Sequence, residues 1–245
     1  PTLYISYSAR GMLLYACWLH FIFPVYENWY RASLTHRKSR YILYKKECVV
    51  FIMQVLKDEI QESILSASQK LFLQHGYEKT SIEKIARQAK ISKSNLYNYF
   101  KSKDEIFNRL TDKAAHEFRK VIEYFASNQF EPKFNTPGFA EMMANEIFKL
   151  VSENREGLLL LVFCAQGTKY ENLKSELIDM IANKFKEDYR SYFTDGDNIV
   201  LIITQNLFDG ITNLTMQSHS DEILRQDLLR FIRYHSKGFV ALISD

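Results

Sequence analysis

Three helix-capping signals at short intervals constrain how this chain folds more than any other feature. Thr80 with Glu83 forms a T-x-x-E capping box, Ser92 is a suitable N-cap, and Ser102 with Glu105 repeats the box. Between these signals, apolar residues recur at steps of three and four, as in amphipathic helices. The pattern predicts two short helices followed directly by a longer one.

The same stretch is strongly basic. Residues 79–103 contain seven Lys and Arg side chains and one acid, Glu83. A phosphate backbone attracts such a surface whatever the base sequence. The helix predicted to follow Ser92 begins with small polar side chains, which a major groove can accept. Together these features predict a DNA-binding helix-turn-helix.

Composition favours an all-helical chain with an uneven distribution of charge. Only eight of the 245 residues are Gly and four are Pro, and strand-like alternation is scarce. The helical periodicity predicts about nine helices. Residues 1–110 are net basic and residues 111–245 net acidic, although the whole chain carries only +3. A basic head on an acidic body suits a DNA-binding domain joined to a domain that does not touch DNA.

The first 52 residues leave alternatives open. The chain begins at Pro1, and the apolar run at 12–25 is shorter than the roughly 20 residues of a spanning helix. A signal peptide would carry the protein away from DNA, whereas a membrane tether followed by basic residues would keep the remainder cytoplasmic. We expect translation to begin at Met53, residues 1–52 to be a non-native or unstructured extension, and no membrane partner. If the segment is genuine, the alternative is a membrane-tethered regulator.

Residues at fixed spacings make the helix-turn-helix prediction more specific. The pattern F-x-x-x-G-[FY], then T-[ST]-[IVM]-x-x-I-A, then LY-x-[YH]-F-x-[SN]-K-x-x-[LI] is met by Phe72, Gly76, Tyr77, Thr80, Ser81, Ile82, Ile85, Ala86, Ser92, Leu96, Tyr97, Tyr99, Phe100, Ser102, Lys103 and Ile106. Over about 50 residues the segment resembles the N-terminal domain of the TetR family of bacterial transcriptional regulators. One departure is Lys90, where the family usually has Gly. Lysine there costs some backbone strain but adds a charge near DNA.

The resemblance implies a division into domains and a set of DNA contacts. A three-helix helix-turn-helix domain would occupy residues 53–101, and a helical ligand-binding and dimerisation domain residues 102–245. Phosphate contacts are implied for Thr80, Tyr97, Tyr99 and Lys103, and base contacts for Lys93, Ser94 and Asn95. Ser81 and Lys101 complete the predicted set. Lysine can bond guanine O6/N7, and asparagine can read adenine N6/N7.

The last two predicted helices, about 197–218 and 220–243, carry long apolar stripes. In the family such helices pair with their copies, so the resemblance implies a homodimer that presents two heads to a palindromic operator. The predicted interface residues are Ile203, Leu207, Gly210, Ile211, Leu228, Phe231, His235 and Phe239.

An inducer site is implied between the middle helices, which are predicted to begin at Thr136, Asn154 and Tyr170. Apolar and aromatic side chains would line a cavity for an unidentified small molecule, which would release the repressor from its operator. The predicted pocket residues are His116, Ile122, Met142, Met143, Phe163, Gln166, Tyr170 and Leu173.

No enzyme active site is predicted. No two glycines lie closer than ten residues apart, HExxH and GxSxG are absent, and the six histidines do not cluster. The three cysteines have no metal spacing, so no metal or cofactor is expected, and their scatter suits a reducing, cytoplasmic location. The alternative is a helical interaction or scaffold protein with a basic patch.

Overall fold

A computed structural model describes residues 37–127, 136–194 and 198–244; it does not describe the side chains of residues 37–48 and 51–52. The chain divides into two compact units, residues 1–58 and 59–245. The apolar run at 12–25 lies outside the described residues, so the expectations about it stay predictions.

Eight helices are found among the described residues, and no strand occurs among them, which confirms the all-α fold class. The helices are α1 (Arg37–His75), α2 (Ile82–Gln88), α3 (Lys93–Tyr97), α4 (Lys103–Ala126), α5 (Phe139–Phe163), α6 (Leu173–Asp188), α7 (Ile199–Gln217) and α8 (Asp221–Leu242).

The first helix extends further towards the N-terminus than the sequence predicts. Periodicity predicts a helix from residue 57 to 75, whereas α1 begins at Arg37, so no break in secondary structure occurs at the predicted boundary at residue 52. Gly76 ends α1 as expected: its φ is 78°, and its N–H donates to the Phe72 carbonyl at 2.8 Å.

A bend in α5 explains why eight helices are found where about nine are predicted. Asn154, the predicted start of a separate helix, has non-helical angles (φ −136°, ψ 18°) inside α5. Its Nδ2 donates to the Leu150 carbonyl at 3.0 Å. The prediction that Thr136 is an N-cap is wrong, because α5 begins at Phe139 and the left-handed Gly138 occupies the cap position.

The helices after α5 follow the sequence prediction with small differences. Helix α6 is shorter than the predicted stretch from Tyr170 to Phe193. Ser220 caps α8 as predicted, with its Oγ accepting from the N–H of Ile223 at 3.3 Å. The predicted cap Asp197 lies outside the described residues.

Three hydrophobic clusters are found among the described residues of 59–245, and the two larger ones organise the fold. The first includes the rings of Phe72, Tyr77 and Phe107, with the Phe107 centroid 5.3 Å from Phe72 and 5.2 Å from Tyr77. Leu160 and Cys164, from the end of α5, belong to this same cluster. The second cluster lies among α4 to α8.

Helices α4 and α5 connect the two clusters. α4 begins in the first cluster at Ile106 and reaches the second at Ile122, whereas α5 runs from Ala140 in the second back to Leu160 in the first. The two helices are therefore antiparallel. They approach closely at Gly157, where an added Cβ would lie 2.7 Å from the Cβ of Ala114.

Candidate DNA-binding surface

The turn between α2 and α3 is closed by backbone hydrogen bonds. Lys90 has a left-handed φ of 57°, and its N–H donates to the Arg87 carbonyl at 3.1 Å. The N–H of Ile91 donates to the Ala86 carbonyl at 3.0 Å. This pair of bonds is a Schellman motif, which normally has Gly at the left-handed position. The turn therefore keeps its geometry although lysine replaces the usual glycine.

Side-chain caps fix where α2 and α3 begin. Ser81 caps α2, with its Oγ accepting from the Lys84 N–H at 3.3 Å, so the prediction of Thr80 as the cap is wrong by one residue. Ser92 caps α3 as predicted and accepts from the Asn95 N–H at 3.1 Å. Ser102 caps α4 in the same way through Glu105 N–H, at 3.1 Å. All three bonds satisfy first-turn amides that would otherwise lack partners.

Thr80 has an internal role in place of the phosphate contact implied by the resemblance. Its side chain is 1% exposed. Its hydroxyl lies 2.8 Å from the Gly76 carbonyl oxygen and 3.3 Å from that of Leu71. These contacts hold the loop after α1 and leave the hydroxyl without access to a duplex.

The ammonium group of Lys103 also bonds within the domain. Its Nζ donates to the carbonyls of Tyr77 at 2.8 Å and Thr80 at 3.0 Å, and lies 3.9 Å from the centroid of the Tyr77 ring. Burial lowers the pKa of this ammonium group below its ordinary value. The Tyr77 hydroxyl donates to Asp104 at 2.6 Å. Lys103 and Asp104 thus fasten the start of α4 to the loop that precedes α2.

Helix α3 presents a polar face to solvent while its apolar side is buried. Leu96 is fully buried and Phe100 is 2% exposed, so they anchor the helix in the first cluster. Among the other predicted DNA contacts, four side chains are exposed: Lys93, Ser94, Tyr97 and Lys101. Three are half-buried: Ser81, Asn95 and Tyr99. Tyr97 is 47% exposed, whereas Tyr99 packs against the first cluster. Of the predicted base-reading residues, Lys93 and Ser94 are therefore accessible, and Asn95 is partly so.

An ion pair across the two helices was not anticipated from the sequence. The Nζ of Lys93 on α3 donates to a carboxylate oxygen of Glu83 on α2. That hydrogen bond lowers the pKa of Glu83 to about 2 and raises the pKa of Lys93. Both side chains are more than half exposed. The pair links α2 and α3. In the absence of DNA, it occupies the ammonium group of Lys93, which is predicted to contact a base.

A cavity of about 480 Å³ lies within the bundle formed by α4 to α8. Its wall is mostly apolar and aromatic, and its charged members are Lys184 and Asp188. Of the predicted pocket residues, only Ile122 and Met143 line it.

The other predicted pocket residues lie outside the wall of this cavity. His116, Gln166 and Phe163 are exposed, Met142 and Tyr170 are half-buried outside the cavity wall, and Leu173 is buried in the second cluster. Tyr170 donates its hydroxyl to Asp112 at 2.7 Å. Sequence periodicity places such residues on helices but does not show which face borders a cavity. The two charged residues of the cavity wall, Lys184 and Asp188, could have been noticed in the sequence by their i, i+4 spacing.

The predicted dimer residues mostly serve the monomer. Leu228 and Phe239 are core residues, at 0% and 2% exposure. Leu207, Ile211 and His235 line the cavity. A Cβ added at Gly210 would lie 1.9 Å from the Phe231 ring, so these two residues pack together. Ile203 is half-buried. The predicted stripe is therefore largely the inward face of α7 and α8.

Known proteins resemble this chain most specifically in the helix-turn-helix. Residues 64–110 match the family of bacterial regulatory proteins named tetR. The transcriptional regulator QacR of Staphylococcus aureus is 25% identical over 178 residues, covering 68% of this chain and 91% of QacR. HbdR of Aromatoleum sp. is 47% identical over 72 residues, 28% of this chain and 31% of HbdR. The helix-turn-helix of this chain is of the TetR family of transcriptional regulators.

Solved structures agree with the fold of this TetR-family regulator. A family member from Streptomyces coelicolor superimposes with a TM-score of 0.53 at 20% identity, covering 71% of this chain and 90% of that one. A regulator from Bordetella parapertussis gives 0.51 at 18%, covering 71% and 93%. The helical fold is thus shared with these structures. The match of the helix-turn-helix, and not the fold, identifies the chain as a DNA-binding transcriptional regulator and not an enzyme.

Proposed function

We propose that this TetR-family regulator is a ligand-responsive repressor that binds a palindromic operator as a homodimer in the cytoplasm. The proposal depends above all on the N-terminal end of α3, where Lys93 and Ser94 are exposed beside Asn95 on a helix anchored by Leu96. A short, rigid helix with such residues at its start can enter a major groove and bond to base edges.

Exposed groups around α3 support contacts with the DNA backbone. Lys79, Arg87, Lys90 and Lys101 are exposed, and Tyr97 presents a phenol close to them in sequence. Cations and hydroxyls of this kind bind phosphate oxygens and fix the orientation of a protein on a duplex. Thr80 and Lys103 are omitted from this set because their polar groups are used internally.

Exposed apolar side chains on α7 and α8 support the homodimer. Among the described residues, α7 is the one helix long and apolar enough to span a membrane, yet less than a quarter of it is buried. Ile202 on α7 is 48% exposed and Tyr234 on α8 is 71% exposed. We define the outer apolar face as Ile199, Ile202, Met216, Ile223, Tyr234 and Leu242. A second copy covering this face would form a two-fold interface between pairs of helices.

The arrangement of α5 supports ligand response. Leu158 and Val162 line the cavity, while Leu160 and Cys164, on the other side of the same segment, belong to the cluster of the DNA-binding domain. The Cys164 carbonyl also accepts the Tyr77 N–H at 3.2 Å. A ligand that shifts this segment would therefore change the position of the DNA-binding domain, provided that it binds one arrangement better than the other.

Selection of genomic DNA by the full-length protein tests the proposal. Fragments of the source genome are captured by the immobilised protein and sequenced, and we expect enrichment of a palindromic site. Capture without any preferred sequence, or a preferred site lacking two-fold symmetry, contradicts sequence-specific binding by a dimer. A metabolite extract that releases the bound fragment supports induction. Failure of all extracts to release it contradicts ligand response and leaves DNA binding intact.

A further inference from the structure

The hydroxyl groups in the cavity wall are already committed as donors. Those of Thr212, Thr215 and Ser236 donate to carbonyls of their own helices at 2.8 to 3.0 Å. Each hydroxyl has one proton, so these groups can offer a ligand only acceptor oxygens. The charged members of the wall, Lys184 and Asp188, pair with each other at 2.7 Å. These polar groups therefore favour a ligand that brings a hydrogen-bond donor and no charge of its own.

The imidazole of His235 on α8 lines the same cavity and makes no hydrogen bond within the part of the chain that the structure describes. It meets the ring of Phe231 edge to face, with centroids 4.5 Å apart, and the ring of Tyr234 at 5.2 Å. Among the described residues, every fully buried side-chain nitrogen or oxygen has a hydrogen-bond partner, so both imidazole nitrogens keep accessible surface. Aromatic contacts thus hold the imidazole in place while its polar atoms remain open to a bound molecule.

The protonation state of His235 decides what it can bind. Burial lowers the pKa of its imidazole below the ordinary value of 6.5, because desolvation disfavours the charged form. At neutral pH the ring is therefore uncharged, with one nitrogen as a donor and the other as an acceptor. A hydroxyl group can donate to the acceptor nitrogen, whereas an ether oxygen can only accept from the donor nitrogen.

Aromatic side chains supply much of the remaining wall. Phe118 and Phe208 both line the cavity, with their ring centroids 5.9 Å apart and their planes inclined by 44°. A planar ligand can pack against such rings in an offset or edge-to-face arrangement. The cavity volume of about 480 Å³ lies within the roughly 300–1,000 Å³ of small-molecule sites. Size and lining therefore suit a planar aromatic molecule.

From these contacts we infer that the cavity binds uncharged aromatic molecules with a hydroxyl group, which donates to the unprotonated nitrogen of His235. The inference rests on the proposed function in so far as the cavity must hold a ligand. A carboxylate or an ammonium group on the ligand would lose its hydration in an apolar wall whose two charges already pair with each other.

Binding of three probes that share one ring system tests the ligand class without DNA. At neutral pH, 2-naphthol, 2-methoxynaphthalene and 2-naphthoate are titrated into the full-length protein by calorimetry. We expect 2-naphthol to bind about tenfold more tightly than either of the others, which corresponds to about 1.4 kcal/mol. The ether is more apolar than the naphthol, so apolar burial alone predicts the opposite order. Equal or tighter binding of the ether or the carboxylate, or no binding of 2-naphthol, overturns the inference.

A pair of histidine variants locates the hydroxyl group. His235→Phe keeps a planar ring without its nitrogens and should lower 2-naphthol affinity about tenfold, with a smaller effect on 2-methoxynaphthalene. His116→Phe is the matched control, since this exposed histidine lies outside the cavity wall, and it should leave both affinities unchanged. Unchanged 2-naphthol affinity in a folded His235→Phe protein, equal losses for the two probes, or an equal loss in His116→Phe overturns the assignment. The wild-type comparison of probes decides the ligand class even if His235→Phe fails to fold.

A separate readout distinguishes this inference from the proposed function. If 2-naphthol binds through His235 but never releases the selected operator, the ligand class is supported and induction by this class is contradicted. Release of the operator by a charged compound, with no binding of 2-naphthol, supports induction and overturns the ligand class.

Discussion

Lys103 shows how tertiary contacts can change the role of a residue within a recognised motif. Its position in the motif implies a phosphate contact, but its ammonium group bridges the carbonyls of Tyr77 and Thr80. Thr80 is itself buried, with its hydroxyl bonded to the backbone. Both residues are therefore best understood as parts that hold the helix-turn-helix in shape.

Replacing Lys103 should lower the free energy of unfolding, whereas replacing an exposed lysine nearby should mainly lower DNA affinity. Lys103→Ala removes the ammonium donor from the Thr80 carbonyl and one of two donors from the Tyr77 carbonyl, so we expect the free energy of unfolding to fall by about 1–3 kcal/mol in urea titrations. Lys101→Ala is the matched control, since that exposed side chain lies two residues earlier. It should leave unfolding unchanged and weaken DNA binding. Equal destabilisation by both variants, or none by Lys103→Ala, contradicts the assignment.

The Glu83–Lys93 pair should compete with DNA. The pKa of Glu83 is lowered to about 2 because Lys93 donates to it, so the carboxylate is charged at neutral pH. A depressed folded-state pKa contributes stability above the ordinary value of 4.5, and this is lost as pH falls towards 2. Glu83→Gln should free Lys93 and remove an anion beside the phosphates.

We expect Glu83→Gln to tighten DNA binding severalfold, as measured by fluorescence anisotropy. We expect Lys93→Ala to return the pKa of Glu83 towards 4.5, as measured by NMR titration. Glu123→Gln, an exposed acid towards the end of α4, controls for the loss of one negative charge. If Glu83→Gln and Glu123→Gln change DNA affinity equally, the effect is due to net charge, and competition between Glu83 and DNA for Lys93 is excluded.

Among the helices, local chemistry accounts for most of what could be predicted. The serine caps of α3, α4 and α8 and the left-handed Gly76 depend on neighbours within a few residues, so short patterns reveal them. Asn154 likewise marks a real bend, although α5 continues through it. The sequence could not show that α5 would pack its end into the DNA-binding domain, because that contact joins distant segments.

The crossing of α4 and α5 depends on the absence of a side chain at Gly157. A Cβ there would lie 2.7 Å from the Cβ of Ala114 and 3.1 Å from the Leu110 carbonyl oxygen. We expect Gly157→Ala to lower the free energy of unfolding by about 1–3 kcal/mol as the helices separate.

Gly238 provides the matched control within a helix. A Cβ at Gly238 meets nothing within 4 Å. Because Gly238 lies between Tyr234 and Leu242 on the outer apolar face, the comparison is made in a monomeric Tyr234→Glu background, where Gly238→Ala should stabilise the protein by about 0.5–1 kcal/mol through helix propensity alone. Thermal and urea unfolding of both variants distinguish the effects. If Gly157→Ala and Gly238→Ala change the free energy of unfolding in the same direction and by similar amounts, the crossing of α4 and α5 does not depend on close contact at Gly157.

At the scale of the whole molecule, the sequence predicts which helices are apolar better than which way they face. The stripe through Leu207 and Ile211 was predicted to join two copies, but it borders the cavity. Apolar residues occur on both sides of α7, so periodicity alone does not show which side is buried within the monomer and which is exposed. Their assignment requires the positions of α5 and α8, which only tertiary structure supplies.

Charge on the outer apolar face should separate the proposed dimer. Ile202→Glu and Tyr234→Glu place carboxylates on exposed positions of α7 and α8, so each monomer should remain folded. We expect sedimentation to show monomers, and operator affinity to fall with the loss of paired heads. Tyr192→Glu, at another exposed tyrosine, should leave the dimer intact. Dimers in all three variants would contradict this interface.

The most direct test of the exposed reading helix is the ratio of affinities for the selected operator and for a scrambled duplex of equal length. The ratio is measured for the wild type and for a Lys93→Ala, Asn95→Ala double variant at one salt concentration. We expect the variant to lose about 1–3 kcal/mol of discrimination per base contact, beyond the sequence-independent loss that removal of the Lys93 charge causes on both duplexes. An unchanged ratio would contradict sequence reading by α3.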